Sequence, residues 1–269
     1  APDVVFSKGG FVSVPVVAGA WLRRIPALIH ESDLTPGLAN RIAAPLAARI
    51  FTTFPETARH LPPHKTTHIG PVVREELFRG EAARGRSMCD FVKTKPVLLV
   101  MGGSQGSRRI NEAVRRRLPE LTERFQIIHL CGRGNVDPGL ESRAYRQFEY
   151  VTGELPDLLA AADIVVTRAG ANTLFECSAL RKPMLLVPLP LTASRGDQIA
   201  NAESFRSRGA AEVLRDEELD GDAFVEAVFS LYERRGRYIA AMERENAADA
   251  KERLIEWIER TAAGAGRSR

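Results

Sequence analysis

The chain has 269 residues, 44% of them apolar and 7% aromatic, which is enough for one large domain or two ordinary ones with well-formed cores. No apolar run approaches the roughly 18 to 20 residues that span a bilayer, and the amino terminus lacks the basic, apolar and small segments of a signal peptide. The formal charge of +4 suits an anionic partner such as a nucleotide, an acidic lipid surface or nucleic acid, although solvated helix faces are the default explanation of the arginine clusters.

In the first seventy or so residues, apolar runs alternate with helix-like segments. DVVF precedes VSVPVVAGAWLRR, PALIH precedes a segment around residues 38–47, and RIFTTF precedes THIG. This alternation predicts βα units with parallel strands. A complete doubly wound domain needs more strands than this region supplies, so we expect the amino-terminal domain to be incomplete in this chain.

Residues 74–95 are crowded with charges and glycines and indicate a domain boundary. The pattern then restarts, which predicts a second doubly wound domain. Strands are predicted at 97–101, 126–131, 148–151, 164–167, 184–188 and 211–214, and helices at 108–124, at 155–162 and from 173 and 197. The expected division is 1–75 for a partial first domain, 76–235 for a second, 236–260 for a helix returning to the first, and 261–269 for a disordered tail.

The three cysteines, Cys89, Cys131 and Cys177, are an odd number without CxxC spacing. This pattern argues against a disulfide framework and against a structural zinc site. We therefore expect buried thiols and a reducing cytoplasm.

Two predicted turns lead from a strand into a helix through small residues. The first is GGSQG after VLLVM, with Gly102, Gly103, Ser104 and Gly106, and the second is RAGAN after IVVT. A helix amino terminus carries unpaired N–H groups and roughly half a positive charge, so it can hold a phosphate without a metal. Tight packing alone also explains glycine-rich turns, and the spacing does not match the dehydrogenase motif GxGxxG.

Three polar pairs have two interpretations each. Thr173 and Glu176 match either a capping box or a carboxylate that accepts hydrogen bonds from sugar hydroxyls. Asp197 and Gln198 can bind neighbouring hydroxyls of a sugar, unless the aspartate simply caps its helix. Asp220-Gly221-Asp222 resembles the DxD metal motif of sugar-nucleotide transferases, but the acidic context favours an N-cap cluster, and no metal is predicted.

Six motifs in order resemble the MurG family: GGFVSVP, IHES, GPVVRE, GGSQGSRRIN, AADIVVTRAGANTLFE and DQIANA. The resemblance extends to about residue 215 and implies an α/β fold of the GT-B type, two Rossmann-like doubly wound domains facing a cleft, with the first domain incomplete. It implies transfer of N-acetylglucosamine from UDP-N-acetylglucosamine to the undecaprenyl-pyrophosphoryl-muramyl-pentapeptide lipid of peptidoglycan synthesis, without a cofactor. It also implies a cytoplasmic enzyme at the inner face of the cell membrane, no nucleic-acid partner, and roles in cell shape and division. The basic charge balance suits peripheral attachment to an anionic membrane surface.

The same resemblance assigns residues to the donor. Two segments are expected beside the diphosphate: the loop of Gly103, Ser104, Gln105 and Gly106, and the helix start of Ala171, Asn172, Thr173, Leu174 and Phe175. Arg74 is expected near the nucleotide, and Val151 or its neighbour Thr152 at uracil. Glu176 is expected at the ribose, and Asp197 and Gln198 at the donor sugar.

The chain departs from the family in two places. The family's glycine-rich loop with its histidine is absent, and His30-Glu31-Ser32-Asp33 replaces HEQN, so Asp33 takes the place of an amide that contacts donor or acceptor. The implied reaction is a single displacement with inversion, in which Glu31 is the one candidate base, or else a structural hydrogen-bond acceptor. Two alternatives are a glycolipid glycosyltransferase with another acceptor and a non-catalytic UDP-sugar-binding module. The segment GGFVSVPVVAGAW is either a core helix or part of a lipid-facing edge.

Overall fold

The computed structural model describes residues 2–103, 105–244 and 249–266. The chain divides into two compact units, one formed by Ala1–Val73 with Asn246–Arg269 and the other by Arg74–Glu245. The sequence predicted the boundary between residues 75 and 76, two residues after the boundary in the structure. No helix of the described residues is both long enough and apolar enough to cross a bilayer.

The first unit is built on four parallel strands in the order β1-β2-β3-β4. The strands are β1 (Val5–Ser7), β2 (Ala27–Glu31), β3 (Arg49–Thr52) and β4 (Thr66–His68), and the helices between them are α1 (Ser13–Leu22) and α2 (Leu38–Ala43). Successive side chains of a strand point to opposite faces of the sheet. Accordingly Ile29 and Ile50 pack with Val17 and Ala20 of α1, whereas Leu28 and Phe51 belong to a second cluster on the other face.

The second unit has six parallel strands in the order β10-β9-β8-β5-β6-β7. The strands are β5 (Val97–Met101), β6 (Gln126–Leu130), β7 (Tyr145–Phe148), β8 (Ile164–Thr167), β9 (Met184–Leu186) and β10 (Ala211–Val213). The helices are α3 (Ala82–Met88), α4 (Arg108–Arg116), α5 (Leu118–Arg124), α6 (Leu155–Ala161), α7 (Ala171–Ala179), α8 (Asp197–Ser207), α9 (Ala223–Glu233) and α10 (Arg235–Met242).

The connection order of this sheet reverses between β5 and β8. From β5 the chain proceeds to β6 and β7 on one side, and then returns to place β8 on the other side of β5. Met101 pairs with Thr167, so β5 and β8 end side by side. In open α/β sheets, ligands bind at such a switch point, outside the carboxyl ends of the strands.

The structure corrects two predictions about elements between residues 108 and 151. The helix predicted over 108–124 is divided at Arg117, because Pro119 lies in the first turn of α5 and cannot continue the preceding helix. The strand predicted at 148–151 lies earlier, at Tyr145–Phe148, since Tyr145 and Gln147 are the side chains that turn into the core. Residues 149–151 are therefore loop.

The predicted helix over 236–260 is two helices. Tyr238 of α10 is buried and donates a 2.6 Å hydrogen bond to Glu212, so α10 belongs to the second unit. The last helix, α11 (Ala250–Gly266), completes the first unit, where Leu254 and Trp257 cover the face formed by Leu28 and Phe51. Residues 261–266 are helical, in contrast to the disordered tail predicted from 261, and residues 267–269 of that tail lie outside the described residues.

Candidate functional site

The turn after β5 contains glycines of two kinds. A Cβ on Gly106 would lie 1.9 Å from the carbonyl oxygen of Cys131, and one on Gly102 would lie 2.3 Å from the nitrogen of Ser107, so tight packing explains both. Gly103 also has a φ that favours glycine, +90°, but it differs from Gly106 because the space where a Cβ would lie is open. Its backbone is therefore accessible to a ligand, whereas Ser104, the next predicted site residue, lies outside the described residues.

The turn after β8 leads into α7 through Gly170, which is the N-cap residue of that helix. Within the described residues no side chain caps α7, so its first N–H groups have no side-chain acceptor at the N-cap. Thr173 and Glu176 both lie inside the helix rather than at its start. The capping-box interpretation of this pair is wrong, and the carboxylate has another partner.

That partner is Arg74, at the start of the second unit. The Nε atom of Arg74 donates to one oxygen of Glu176 at 2.8 Å, and its Nη2 atom donates to the other at 3.1 Å. Such a two-point ion pair fixes the plane of the carboxylate. The hydrogen bonds that Arg74 donates to Glu176 raise the pKa of Arg74 above its ordinary value, so the guanidinium stays charged.

A cavity of about 600 Å³ opens beside this ion pair. Its lining includes the predicted residues Arg74, Gly103, Val151, Thr173 and Glu176, together with Thr152. A second cavity, of about 370 Å³, is lined by residues of both turns and by Gln198. Gly103, Thr167 and Thr173 line both cavities, which therefore meet at the switch point between β5 and β8.

Gln198 presents its amide to the smaller cavity in a defined orientation. Its Oε1 atom accepts a 3.2 Å hydrogen bond from the backbone N–H of Leu189. Because that N–H needs an acceptor, the NH₂ group of Gln198 is the one that remains to donate to a ligand. Asp197 lies beside it in the first turn of α8, but the N-cap residue is Gly196, so Asp197 is not the cap.

Other predicted donor residues take different positions. Gly106 lines the smaller cavity, and Gln105 is exposed in the same turn. Asn172 is exposed in the first turn of α7, whereas Ala171, Leu174 and Phe175 are buried. The side chains of Leu174 and Phe175 pack in the core, where Phe175 meets Phe205 edge to face, so neither side chain is available to a ligand. The backbone N–H of Leu174 donates to the carbonyl oxygen of Gly170 at 3.1 Å.

Glu31 and Asp33 lie in the first unit, at the carboxyl end of β2. The side chain of Glu31 is buried, with the residue only 4% exposed. One of its oxygens accepts from the backbone N–H of Asp33 at 3.0 Å, and the other accepts from the backbone N–H of Gly37 and from Asn40 Nδ2, both at 2.9 Å. This geometry favours the structural alternative for Glu31, an acceptor that holds the loop after β2, over a general base.

His30 precedes Glu31 and is also buried. Burial, with a smaller contribution from the charge of Lys8, lowers the pKa of His30 from 6.5 to about 4. Its Nε2 atom lies 3.0 Å from the hydroxyl of Thr53. His30 is therefore a neutral hydrogen-bonding group at neutral pH.

Comparison with known proteins assigns the family. The model of the glycosyltransferase family 28 C-terminal domain matches residues 97–257, and the model of the N-terminal domain of the same family matches residues 1–52. The chain is 57% identical, over 97% of its own length and 74% of the other's, to the UDP-N-acetylglucosamine--N-acetylmuramyl-(pentapeptide) pyrophosphoryl-undecaprenol N-acetylglucosamine transferase of Geobacillus thermodenitrificans. It is 52% identical, over 96% and 73%, to transferase 2 of that description from Bacillus cereus. The chain belongs to the MurG family.

The fold agrees with this assignment. The crystal structure of Acinetobacter baumannii MurG matches 96% of the chain and 73% of its own length, with a TM-score of 0.74 at 24% identity. Together with the two parallel sheets and the family models, this likeness confirms the GT-B class expected from the sequence.

Within this MurG-family chain, sequence reasoning missed several residues that line the cavities. Arg168 and Ser107 border the smaller cavity and are hydrogen-bonded to each other. Tyr150 borders the larger one and is 62% exposed, unusual for a large aromatic side chain. Arg168 is the first residue of the RAGAN turn, where a charged residue directly after a buried strand was a usable signal.

The acidic Asp220-Gly221-Asp222 segment has partners of its own. Asp220 accepts hydrogen bonds from Arg109 at 2.8 Å and from Arg116, and Asp222 pairs with Arg117. These carboxylates are therefore held by arginines on α4 and just after it, although neither caps a helix with its side chain.

Proposed function

We infer that this chain is an inverting glycosyltransferase, which moves N-acetylglucosamine from UDP-N-acetylglucosamine to the undecaprenyl-pyrophosphoryl-muramyl-pentapeptide lipid of peptidoglycan synthesis. The observation that carries this inference is a pair of cavities that meet at two glycine turns, in a chain of the MurG family. The larger has room for a nucleoside, and the smaller for a diphosphate and the start of a sugar.

The donor is proposed to lie across the ends of β5 and β8. Uracil contacts the backbone near Val151 or Thr152 and faces the exposed ring of Tyr150, because an aromatic face at a cavity rim suits a planar base. The ribose hydroxyls donate to Glu176. The NH₂ group of Gln198 donates to an oxygen of the donor sugar, with Asp197 beside it.

The diphosphate is proposed to lie between the turn at Gly103–Gly106 and the amino terminus of α7. As the bond to the anomeric carbon breaks, negative charge grows on the departing UDP. The peptide N–H groups of both turns and the positive ends of α4 and α7 stabilise that charge without reorganising. Arg74 offsets the charge of Glu176, which lowers its repulsion of the diphosphate.

Transfer to a lipid acceptor tests the function directly. Incubating the protein with radiolabelled UDP-N-acetylglucosamine and separate lipid acceptors should give product with the muramyl-pentapeptide lipid. Product only with another glycolipid would favour the first alternative. UDP-sugar binding without turnover on any acceptor would favour a non-catalytic binding module.

We also propose that the protein works at the inner, cytoplasmic face of an anionic membrane, where peptidoglycan synthesis serves cell shape and division. Support comes from α1 and the turn before it, where Phe11, Val12, Val16, Trp21 and Leu22 are exposed while Val17 and Ala20 face the core. Arg23 and Arg24 follow directly. Exposed apolar and aromatic side chains beside basic residues suit the interface of an acidic bilayer.

Vesicle sedimentation tests this attachment. The protein should sediment with anionic vesicles at low salt and detach at high salt, and Phe11→Ser with Leu22→Ser should weaken binding. Exchange of Ile255, an exposed apolar residue of α11, for serine is the matched control. Equal sedimentation of all variants, or none of the unaltered protein, would contradict the proposal.

A further inference from the structure

Arg168 is a buried arginine at the carboxyl edge of the second sheet. The residue is 8% exposed. Its Nε and Nη2 atoms donate to the hydroxyl oxygen of Ser107 at 3.1 and 2.8 Å. Its Nη1 atom donates to Asp216 at 2.6 Å and to the carbonyl oxygens of Val187 and Pro188 at 3.0 and 3.3 Å. All three guanidinium nitrogens therefore have protein acceptors.

Asp216 joins this arginine to a second one. The Nε atom of Arg109 donates to the other carboxylate oxygen of Asp216 at 3.2 Å, and its Nη2 atom donates to the backbone carbonyl of Asp216 at 3.0 Å. A buried charge is stable only when it is paired and hydrogen-bonded. The network meets that condition for Arg168 and fixes the position of its guanidinium.

The partners of Arg168 come from separate segments that meet at this edge. Ser107 is the N-cap residue of α4, and Val187 and Pro188 directly follow β9. Asp216 opens the 3₁₀ turn Asp216–Asp220. Arg168 itself belongs to the turn between β8 and α7. The guanidinium thus connects the two turns that border both cavities.

We propose that Arg168 is a positioning residue for the donor diphosphate. By binding Ser107 from the opposite turn, it sets the separation of the two turns so that the N–H groups of both reach one diphosphate. This inference rests on the proposed function, since it assumes that the diphosphate lies between the turns. The role is indirect, because the nitrogens of Arg168 are already engaged with the protein.

The test compares UDP with uridine. Uridine lacks the diphosphate and is expected to use only the larger cavity, whose lining includes neither Arg168 nor Ser107. Calorimetric titration of Ser107→Ala and Arg168→Lys should show UDP affinity lowered about tenfold. Uridine affinity should change little, so the ratio of UDP to uridine affinity should fall by the same factor.

Arg86→Lys is the matched control. Arg86 also donates to two backbone carbonyls, of Val92 and Lys95, at 2.9 and 3.0 Å, and pairs with Asp163, but at the amino ends of β5 and β8. The Arg86→Lys variant should have a lower melting temperature, but its ratio of UDP affinity to uridine affinity should be unchanged.

The outcomes separate the two proposals. An unchanged affinity ratio in Ser107→Ala, despite tight UDP binding by the unaltered protein, would overturn the positioning role. If Arg168→Lys does not fold, Ser107→Ala decides alone, because it leaves the pair of Arg168 with Asp216 in place. Failure of the unaltered protein to bind UDP would instead refute the proposed function.

Discussion

Each unit carries a glutamate at the carboxyl edge of its parallel sheet, and the two carboxylates differ in what surrounds them. Glu31 is buried, and both its oxygens accept hydrogen bonds from its own loop. Glu176 borders a cavity of about 600 Å³ and is paired with one arginine. A carboxylate whose oxygens accept hydrogen bonds from the neighbouring backbone holds the structure together, whereas a carboxylate that borders a cavity remains available to a ligand.

The largest expected effect is on the structural carboxylate. Glu31→Ala should lower the free energy of unfolding of the first unit by about 3 kcal/mol, because buried N–H donors lose their acceptor. Both tryptophans, Trp21 and Trp257, belong to the first unit, so urea unfolding followed by tryptophan fluorescence reports on it selectively. UDP affinity should stay unchanged. A stable Glu31→Ala variant would contradict the structural role.

Acid should destabilise the same edge through His30. Its pKa is about 4 in the folded protein, below the ordinary 6.5, so the unfolded chain binds a proton at a pH where the folded chain does not. The contribution of His30 is therefore fully present above pH 6.5 and is lost as pH falls toward 4. We expect a loss of about 2 kcal/mol between pH 6.5 and 4.5, measured by tryptophan-detected unfolding.

The control for this pH effect is His30→Gln, which should flatten the dependence over that range. His129 of the second unit, whose burial lowers its pKa to about 3, stays in place in both proteins. An identical pH dependence in the variant would assign the effect to other groups.

The carboxylate beside the cavity should show the opposite behaviour. Glu176→Ala should lower UDP affinity about tenfold or more, since it removes the proposed acceptor of the ribose hydroxyls, with little change in the unfolding of the first unit. Glu203→Ala is the matched control, because Glu203 also pairs with an arginine of the second unit but lines neither cavity. Equal UDP affinity of the two variants would remove Glu176 from the site.

The smallest effect is expected at the turn after β5. Gly103→Ala should lower the free energy of unfolding by about 1 kcal/mol, because its φ of +90° is unfavourable for alanine. The cost stays small because the added methyl group meets open space. The substitution should also weaken UDP binding severalfold by placing that methyl group at the cavities. Gly106→Ala, which would clash with Cys131, should instead lower stability by more than Gly103→Ala does. Thermal melts with and without UDP separate the two cases.

The sequence predicted the strands that place the site but not the contacts within it. The apolar runs at 97–101 and 164–167 coincide with β5 and β8, since buried parallel strands are nearly continuous hydrophobic runs. The sequence predicts strand at 149–151, where the structure has a loop, because Tyr150 and Val151 are residue types that favour strands.

Side-chain partners distant along the chain were beyond sequence reasoning. Arg74 and Glu176, or Arg168 and Ser107, meet only after the sheet has formed, and no local pattern encodes those distances. The capping-box interpretation of Thr173 and Glu176 is excluded because α7 begins directly after Gly170, which places both residues inside the helix. Likewise, the hydrogen bonds that hold Glu31 come from residues up to Asn40, beyond any local motif.

The most direct test of the account is whether both turns bind the same diphosphate. Titrating ¹⁵N-labelled protein with UDP should shift the amide resonances of Gly106 and Gly170 together, with one dissociation constant. Uridine should leave both nearly unchanged, because these two residues line only the smaller cavity. Shifts at only one turn, or equal shifts with uridine and UDP, would contradict the claim that the two turns share one diphosphate.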